Sequence, residues 1–168
     1  MTEEVGVRVA EPADARAIRR VAREAWHAAY DGILGASTVD EAVDEWYNPE
    51  RLAESAATAD HVFLVAAAGD DVVGFTHGGP WQEEGSTAEL YRLYVRPGYW
   101  GHGVGTRLLD AAGARLRERG YDRLRLVVFA DNDVGVTFYE TRGFERVAEH
   151  RDRVAGEEYP EYVYERAL

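Results

Sequence analysis

The 168-residue sequence contains no cysteine, so the chain forms no disulfide, no thiolate metal site and no covalent intermediate on a cysteine nucleophile. No apolar run approaches the roughly 20 residues that cross a membrane. The opening segment MTEEVGVRVAEP is acidic and lacks the basic and then apolar pattern of a secretory signal. The five histidines show no metal-ligand spacing. We therefore expect one cytoplasmic domain over residues 1–168, with no metal and no membrane contact.

Lysine is also missing, and all 19 basic residues are arginines against 31 acidic ones, which gives a net charge of −12. Such a charge repels phosphates and argues against a nucleic-acid partner. Two explanations of the composition stay open. An acid-rich surface suits a protein that works in concentrated salt, where ions screen its self-repulsion. Alternatively, a GC-rich genome favours the codons of arginine, alanine, glycine and valine.

The periodicity of apolar residues predicts a mixed α/β fold in the order β-α-α-β-β-β-α-β-α-β-β. The strand-to-helix connections near residues 100 and 130 suit parallel crossovers. The predicted strands are 5–10, 61–68, 72–79, 87–95, 123–129 and the two terminal stretches FERVAEHRD and EYVYERAL. The predicted helices are 13–30, one or two short ones within 37–59, a helix that ends near 119, and 131–143.

A cluster of four glycines lies in YVRPGYWGHGVGTRLLDAAG, residues 94–113, directly before an apolar helical pattern. A helix N-terminus has free N–H groups and partial positive charge, and bare glycines let an anion approach them. A Walker loop is excluded because it needs a lysine. A dinucleotide-binding strand is disfavoured because the spacing here is G-x-G-x-G, late in the chain and after three antiparallel strands. The stretch is therefore a candidate phosphate-binding loop.

The sequence LYVRPGYWGHGVGTRLLDAA resembles the acetyl-CoA motif of the GNAT superfamily, the Gcn5-related N-acetyltransferases. VRVAEPADARAI resembles the opening strand and helix of that family, and VVGF its third strand. FADNDVGVTFYETRGFERV resembles the second half of its cofactor site. The two cofactor motifs occur in the family's order, about 30 residues apart. Trp100 departs from the pattern, because the family usually has Gln or Arg there.

The resemblance implies an acetyl-CoA-dependent N-acetyltransferase with the GNAT fold. The backbone of residues 101–106 would hold the pyrophosphate, with Arg107 as a nearby positive charge, and the strand before the loop would pair with the pantetheine arm. Bland alternatives stay open: glycines that only start a helix, strand side chains that only fill the core, and an asparagine that only caps its helix. The implied cofactor-binding residues are Leu93, Tyr94, Val95, Gly101, His102, Gly103, Val104, Gly105, Thr106 and Asn132.

Acetyl transfer to an amine requires a base for the ammonium, a donor for the thioester oxygen and a proton for the leaving thiolate. The resemblance implies Glu89 as the base, often through water, and the N–H of Val95 or a neighbour as the oxyanion donor. It implies Tyr139 as the acid, since a phenol has a pKa near 10. Strand alternation predicts that Glu89 shares a face with Tyr91, Leu93 and Val95. A solvated Glu89 and a Tyr139 that only packs are the alternatives.

The resemblance also places the acceptor near the end of the first helix and after the third strand. Acidic and aromatic groups there suit the primary amine of a small molecule or peptide. Two other functions stay open: a catalytically silent acyl-CoA sensor, and an acidic interaction module without a cofactor. The terminal strands offer an edge for a homodimer. The candidate acceptor residues are Trp26, Tyr30, His77 and Trp81, with Glu83 and Glu84 beside them.

The concentrated-salt hypothesis predicts that the melting temperature rises steadily as KCl increases toward molar concentration, because salt screens the repulsion among 31 carboxylates. Thermal unfolding monitored by circular dichroism measures this. A melting temperature that does not rise would leave codon usage as the explanation of the missing lysine.

Overall fold

The computed structural model describes residues 4–82 and 85–168. Glu83 and Glu84, two of the candidate acceptor residues, lie outside the described residues. The strands are β1 (Val5–Val9), β2 (Val62–Ala68), β3 (Asp71–Pro80), β4 (Thr87–Val95), β5 (Arg123–Phe129), β6 (Glu145–Val154) and β7 (Glu157–Ala167). The helices are α1 (Ala15–Leu34), α2 (Ala36–Trp46), α3 (Pro49–Ala56), α4 (Val104–Glu118) and α5 (Asp133–Glu140).

The predicted mixed α/β fold is confirmed, with one helix more than the predicted order contains. The segment 37–59 contains two helices, α2 and α3, which a turn at Tyr47 separates. Gly35 adopts a φ of +88° between α1 and α2, a conformation that glycine tolerates best. The Asn48 side chain then accepts a hydrogen bond of 2.9 Å from the Glu50 backbone N–H and caps α3.

The seven strands form one sheet in the order β1-β2-β3-β4-β5-β7-β6. Neighbouring strands are antiparallel except for β4 and β5, which are parallel. Helix α4 makes the crossover between these two strands, as the connection near residue 100 predicted. Helix α5 likewise joins β5 to β6, which run in the same direction with β7 between them. The one parallel pair therefore lies at the centre of the sheet.

Each face of the sheet carries its own core. Helices α1, α2 and α3 cover one face, where Ile18, Val21 and Phe75 are buried. Helix α4 covers the opposite face with the buried stripe of Leu108, Leu109 and Leu116, and α5 lies on the same side. Both helical stripes follow the i, i+3, i+4 spacing in the sequence. The sheet thus separates an α1 face from an α4 face, and β4 contributes to both.

A β-bulge in β4 overturns the predicted alternation of its side chains. His77 pairs with Arg92 while the next residue of β3, Gly78, pairs with Leu90, so Tyr91 is an extra residue in β4. After the extra residue the strand presents the opposite set of side chains. Leu93 and Val95 pack on the α4 face, whereas Tyr91 contacts His77 and His61. The prediction that Glu89 shares a face with Tyr91, Leu93 and Val95 is wrong, because the bulge separates Glu89 and Tyr91 from the face that carries Leu93 and Val95.

Candidate active site

The central strands β4 and β5 separate soon after they begin, and a cavity of about 740 Å³ opens between them. Their parallel pairing covers only Thr87–Glu89 against Arg123–Arg125. Beyond that point each strand stays paired with its other neighbour, β3 or β7. The diverging strands therefore form a fork whose inner edges line the cavity. Helix α1, the glycine loop and α5 complete its walls.

The glycine loop enters α4 through two residues with left-handed backbones, Gly101 at φ +77° and Gly103 at φ +81°. Residues with a Cβ rarely adopt this conformation. Gly103 precedes Val104, the first residue of α4, and both line the cavity. The first N–H groups of a helix have no intrahelical acceptor and carry partial positive charge. The loop therefore suits a phosphate or diphosphate group.

Gly105 has a packing role that the sequence did not reveal. A Cβ at this position would lie 3.2 Å from the ring of Phe138 in α5. Phe138 and Tyr139 both line the cavity beside it. Gly105 therefore lets α5 approach the start of α4, in addition to any role in anion approach.

Most of the predicted cofactor-binding residues, in the loop and beside it, line the cavity. All the predicted cofactor-binding residues line the cavity except His102, whose side chain is exposed. Arg107 donates to the carbonyl of Val5 in β1, so it does not place its charge at the loop as predicted. The Trp100 indole N–H donates to the carbonyl of Val95 at 2.7 Å. Trp100 thereby fastens the glycine loop to the end of β4.

Three tyrosines and an asparagine meet in the cavity wall. The hydroxyls of Tyr30 and Tyr94 are hydrogen-bonded at 3.1 Å, and the Asn132 amide donates to Tyr30 at 3.5 Å. Asn132 also caps α5, since its side-chain oxygen accepts from the Gly135 N–H at 3.0 Å. Burial raises the pKa of Tyr139 and of both other tyrosines above the ordinary value. All three phenols therefore stay protonated at neutral pH.

Glu89 lies at the fork, in the last residue pair that β4 and β5 share, opposite Arg125. Arg125 donates to its carboxylate, whose side chain is 22% exposed. Burial raises the pKa of Glu89, while the positive charge of Arg125 opposes that rise. The Arg125 guanidinium also stacks over the Trp81 ring at 4.6 Å. Trp81, predicted as an acceptor residue, is 41% exposed and is not among the described residues that line the cavity.

Two other predicted acceptor residues lie outside the set of described residues that line the cavity. Trp26 is buried in an aromatic cluster on the α1 face, and its indole N–H donates to the Tyr47 hydroxyl at 3.1 Å. His77 is buried against Phe63, and its Nε2 is 2.8 Å from Nδ1 of His61. Burial lowers the pKa of His77 to about 3, so its ring is neutral at pH 7. Of the predicted acceptor residues, Tyr30 lines the cavity directly.

The sequence analysis missed two arginines that line the cavity, Arg92 and Arg142. Arg92 follows the bulge, and its guanidinium lies over the Tyr47 ring at 4.8 Å. Arg142 lies over the Phe138 ring at 3.6 Å and donates to the Thr106 hydroxyl. The position of Arg142 directly before the Gly143-Phe144 pair was the signal available in the sequence. That position does not indicate where the side chain points.

Within residues 4–82 and 85–168, no group of three or more His, Asp or Glu side chains is arranged to hold a metal ion. In the same part of the chain, no helix combines the length and apolar character that crossing a membrane requires.

Comparison with protein families gives a match to the acetyltransferase (GNAT) family over residues 18–144. Among curated proteins, the chain is 33% identical over 135 residues to spermidine N(1)-acetyltransferase of Thermoplasma acidophilum. That match covers 78% of this chain and 82% of the relative. The chain is also 34% identical over 101 residues to an acetyltransferase of Sodalis glossinidius. This second match covers 60% of this chain and 69% of the relative.

Among solved structures, the fold is similar to that of the PaiA N-acetyltransferase from Thermoplasma acidophilum in complex with coenzyme A. The TM-score is 0.85 at 27% identity, and the match covers 98% of this chain and 99% of the other. A Salmonella typhimurium acetyltransferase, solved with acetyl-CoA, shares the fold with a TM-score of 0.69 at 21% identity over 98% and 94% of the two chains. The glycine loop and the fork are therefore features of a fold that binds acetyl-CoA, which is the cosubstrate of this chain.

We predict that Gly103→Ala weakens acetyl-CoA binding about tenfold or more. The added Cβ disfavours the left-handed backbone by roughly 1–2 kcal/mol and misdirects the N–H groups that follow. Calorimetric titration measures the change. Gly98→Ala is the matched control, since Gly98 precedes the same loop without a positive φ and an added Cβ there has open space. Equal affinity of the two variants would contradict the role of the loop.

Proposed function

The chain belongs to the GNAT family and is an N-acetyltransferase that uses acetyl-CoA, and from this premise we propose the acceptor and the route of transfer. The acceptor is the primary amine of a small cationic molecule, of which a polyamine is the first candidate. The acetyl group passes to it directly while both substrates are bound. The observation that carries the proposal is one continuous cavity, which extends from the glycine loop to α1.

The wall formed by α1 supports a slender acceptor. Small residues face the cavity there, namely Ala25, Ala28, Ala29 and Gly32. We propose that the methylene chain of the acceptor lies along this wall of small side chains, in the slot beside α1. The rings of Tyr30 and Tyr94 lie beside the slot and attract an ammonium group through cation–π contacts. This arrangement agrees with the activity named for the Thermoplasma relative, a spermidine acetyltransferase.

The charge of the protein supports a cationic acceptor as well. Two acidic residues, Asp131 and Asp133, line the cavity between β5 and α5. The net charge of −12 adds a long-range attraction for polycations. A second ammonium on the acceptor therefore gains favourable charge contacts that a neutral amine lacks.

Direct transfer agrees with the composition of the chain and with the shape of the site. Acetyl-CoA supplies the acetyl group as a thioester. The chain has no cysteine to accept that group. One continuous cavity holds room for both reactants, so the amine reaches the thioester without an intermediate on the protein.

Tyr139 and Glu89 are the proposed proton carriers. Tyr139 lines the cavity, and its raised pKa keeps the phenol proton available for a leaving thiolate. Glu89 lies at the base of the fork, where Arg125 orients its carboxylate. Because Glu89 is outside the described residues that line the cavity, it would receive the amine proton through water. We also propose that a backbone N–H near Val95 faces the thioester oxygen.

The experiment that tests this function measures release of free CoA with a panel of acceptors. The panel contains spermidine, a diamine, a monoamine of matched length, an amino acid and a peptide with an N-terminal alanine. We expect the highest kcat/KM for spermidine or the diamine, and a lower value for the monoamine. Preference for the peptide or the amino acid would contradict the cationic acceptor. Tight acetyl-CoA binding without turnover of any amine would favour the silent sensor.

For the acid, we predict that Tyr139→Phe lowers kcat by about 10²-fold while the dissociation constant of acetyl-CoA stays within about twofold. The variant removes only the hydroxyl from a ring that packs on Phe138 and Phe144. Steady-state kinetics and calorimetry give the two values. Tyr121→Phe, outside the lining residues, is the control. An unchanged kcat in Tyr139→Phe would remove the acid role.

For the base, we predict that activity declines on acidification through a pKa above the ordinary range of a glutamate. Burial raises the pKa of Glu89, so protonation inactivates the base at a higher pH than for an exposed carboxyl. The pH profile of kcat/KM measures this limb. In Glu89→Gln the limb disappears and the rate is low throughout. Glu165→Gln, which breaks the neighbouring ion pair with Arg123, is the matched control and keeps the limb.

A further inference from the structure

Arg142 is fixed at the junction between the end of α5 and the start of α4. Its Nε and Nη2 donate to the Thr106 hydroxyl at 3.0 and 2.6 Å. Its Nη1 donates to the Phe138 carbonyl at 2.8 Å and to the Thr141 hydroxyl at 3.1 Å. The plane of the guanidinium lies over the Phe138 ring. These contacts hold one side chain in a single orientation beside the glycine loop.

The contacts of Arg142 leave donors available. A guanidinium has five N–H groups, and the contacts above use four of them, which leaves one on Nη2. The Thr106 oxygen accepts two hydrogen bonds from Arg142, so its own hydroxyl proton must donate elsewhere. Thr106 is the third residue of α4 and lines the cavity. Together, the two side chains hold one unused N–H and one unused hydroxyl proton beside the first turn of α4, in the wall of the cavity.

The charge of Arg142 is also uncompensated. None of the ion pairs in residues 4–82 and 85–168 involves Arg142. A diphosphate carries about two negative charges, whereas a helix N-terminus offers only about half a positive one. The carboxylates of Asp131 and Asp133 line the same cavity and disfavour an anion. Arg107, the residue next to Thr106, directs its guanidinium to Val5.

We propose that Arg142, with the Thr106 hydroxyl that it orients, is the side-chain contact for the diphosphate of acetyl-CoA. It supplies the full positive charge that the backbone loop and Trp100 lack. This contact involves only acetyl-CoA, so the proposal does not depend on which amine is the acceptor.

The test is calorimetric titration of wild type, Arg142→Gln and Arg142→Lys with three compounds. These are acetyl-CoA, an acetyl-CoA analogue without the 3′-phosphate, and acetyl-pantetheine, which has no phosphate. We expect Arg142→Gln to weaken acetyl-CoA and the first analogue by the same factor, tenfold or more, and to leave acetyl-pantetheine unchanged. Arg142→Lys recovers part of the affinity because it keeps the charge and loses the planar contact. The loss shrinks toward molar KCl.

Arg107→Gln is the matched control, because it removes the same charge from the neighbouring helix position and should bind acetyl-CoA as wild type does. Equal weakening of all three compounds by Arg142→Gln would show a merely structural role and overturn the proposal. Loss restricted to acetyl-CoA would assign Arg142 to the 3′-phosphate and also overturn it. Because no amine is present, failure of this test leaves the proposed acceptor untouched, and failure of the acceptor panel leaves this test untouched.

Discussion

The site depends on the short parallel contact between β4 and β5, three residue pairs long, that ends at Glu89 and Arg125. Each strand remains hydrogen-bonded to its outer neighbour along the rest of its length, so the fork opens without loss of the sheet. Its inner edges then present backbone N–H and C=O groups to the cavity. Such groups need partners, and an amide-bearing arm laid along the strand supplies them. The ion pair at the fork joins the two edges at the point where they part.

Much of the fold was predictable because the apolar periods of the helices and strands are regular. The bulge at Tyr91 was not, since one added residue in a strand leaves no signal in the alternation of TAELYRLYV and reverses the faces that follow. The loop that leads into α4 was predictable, because the glycine cluster directly precedes an apolar helical pattern, whereas the left-handed backbones of Gly101 and Gly103 were seen only in the structure. The roles of Trp26 and His77 were not, because an aromatic or histidine side chain near a site is equally at home in the core.

Side chains and backbone divide the work of the site differently at its two ends. The glycine loop offers main-chain N–H groups, so Trp100 can stand where the family usually has a polar residue. In the proposed reaction, the acetyl end depends on side chains that are hydrogen-bonded to their neighbours, Tyr30 to Tyr94 and Glu89 to Arg125. Sequence spacing does not reveal which neighbours hold these side chains in place. The sequence likewise does not reveal the direction of Arg142, whose guanidinium lies over the Phe138 ring.

The hydrogen bond from the Trp100 indole to the Val95 carbonyl gives the site a fixed length. It fastens the glycine loop, which we propose holds the diphosphate, to β4, which we propose pairs with the pantetheine arm. The glycine loop and the end of β4 are therefore held at one distance from each other, and the diphosphate would bind at the loop. For a molecule held there by its diphosphate, the number of bonds in the arm determines how far along β4 the reactive carbon lies. If acetyl-CoA binds in this way, a molecule with a shortened arm does not reach the acceptor, even though no contact recognises the missing atoms.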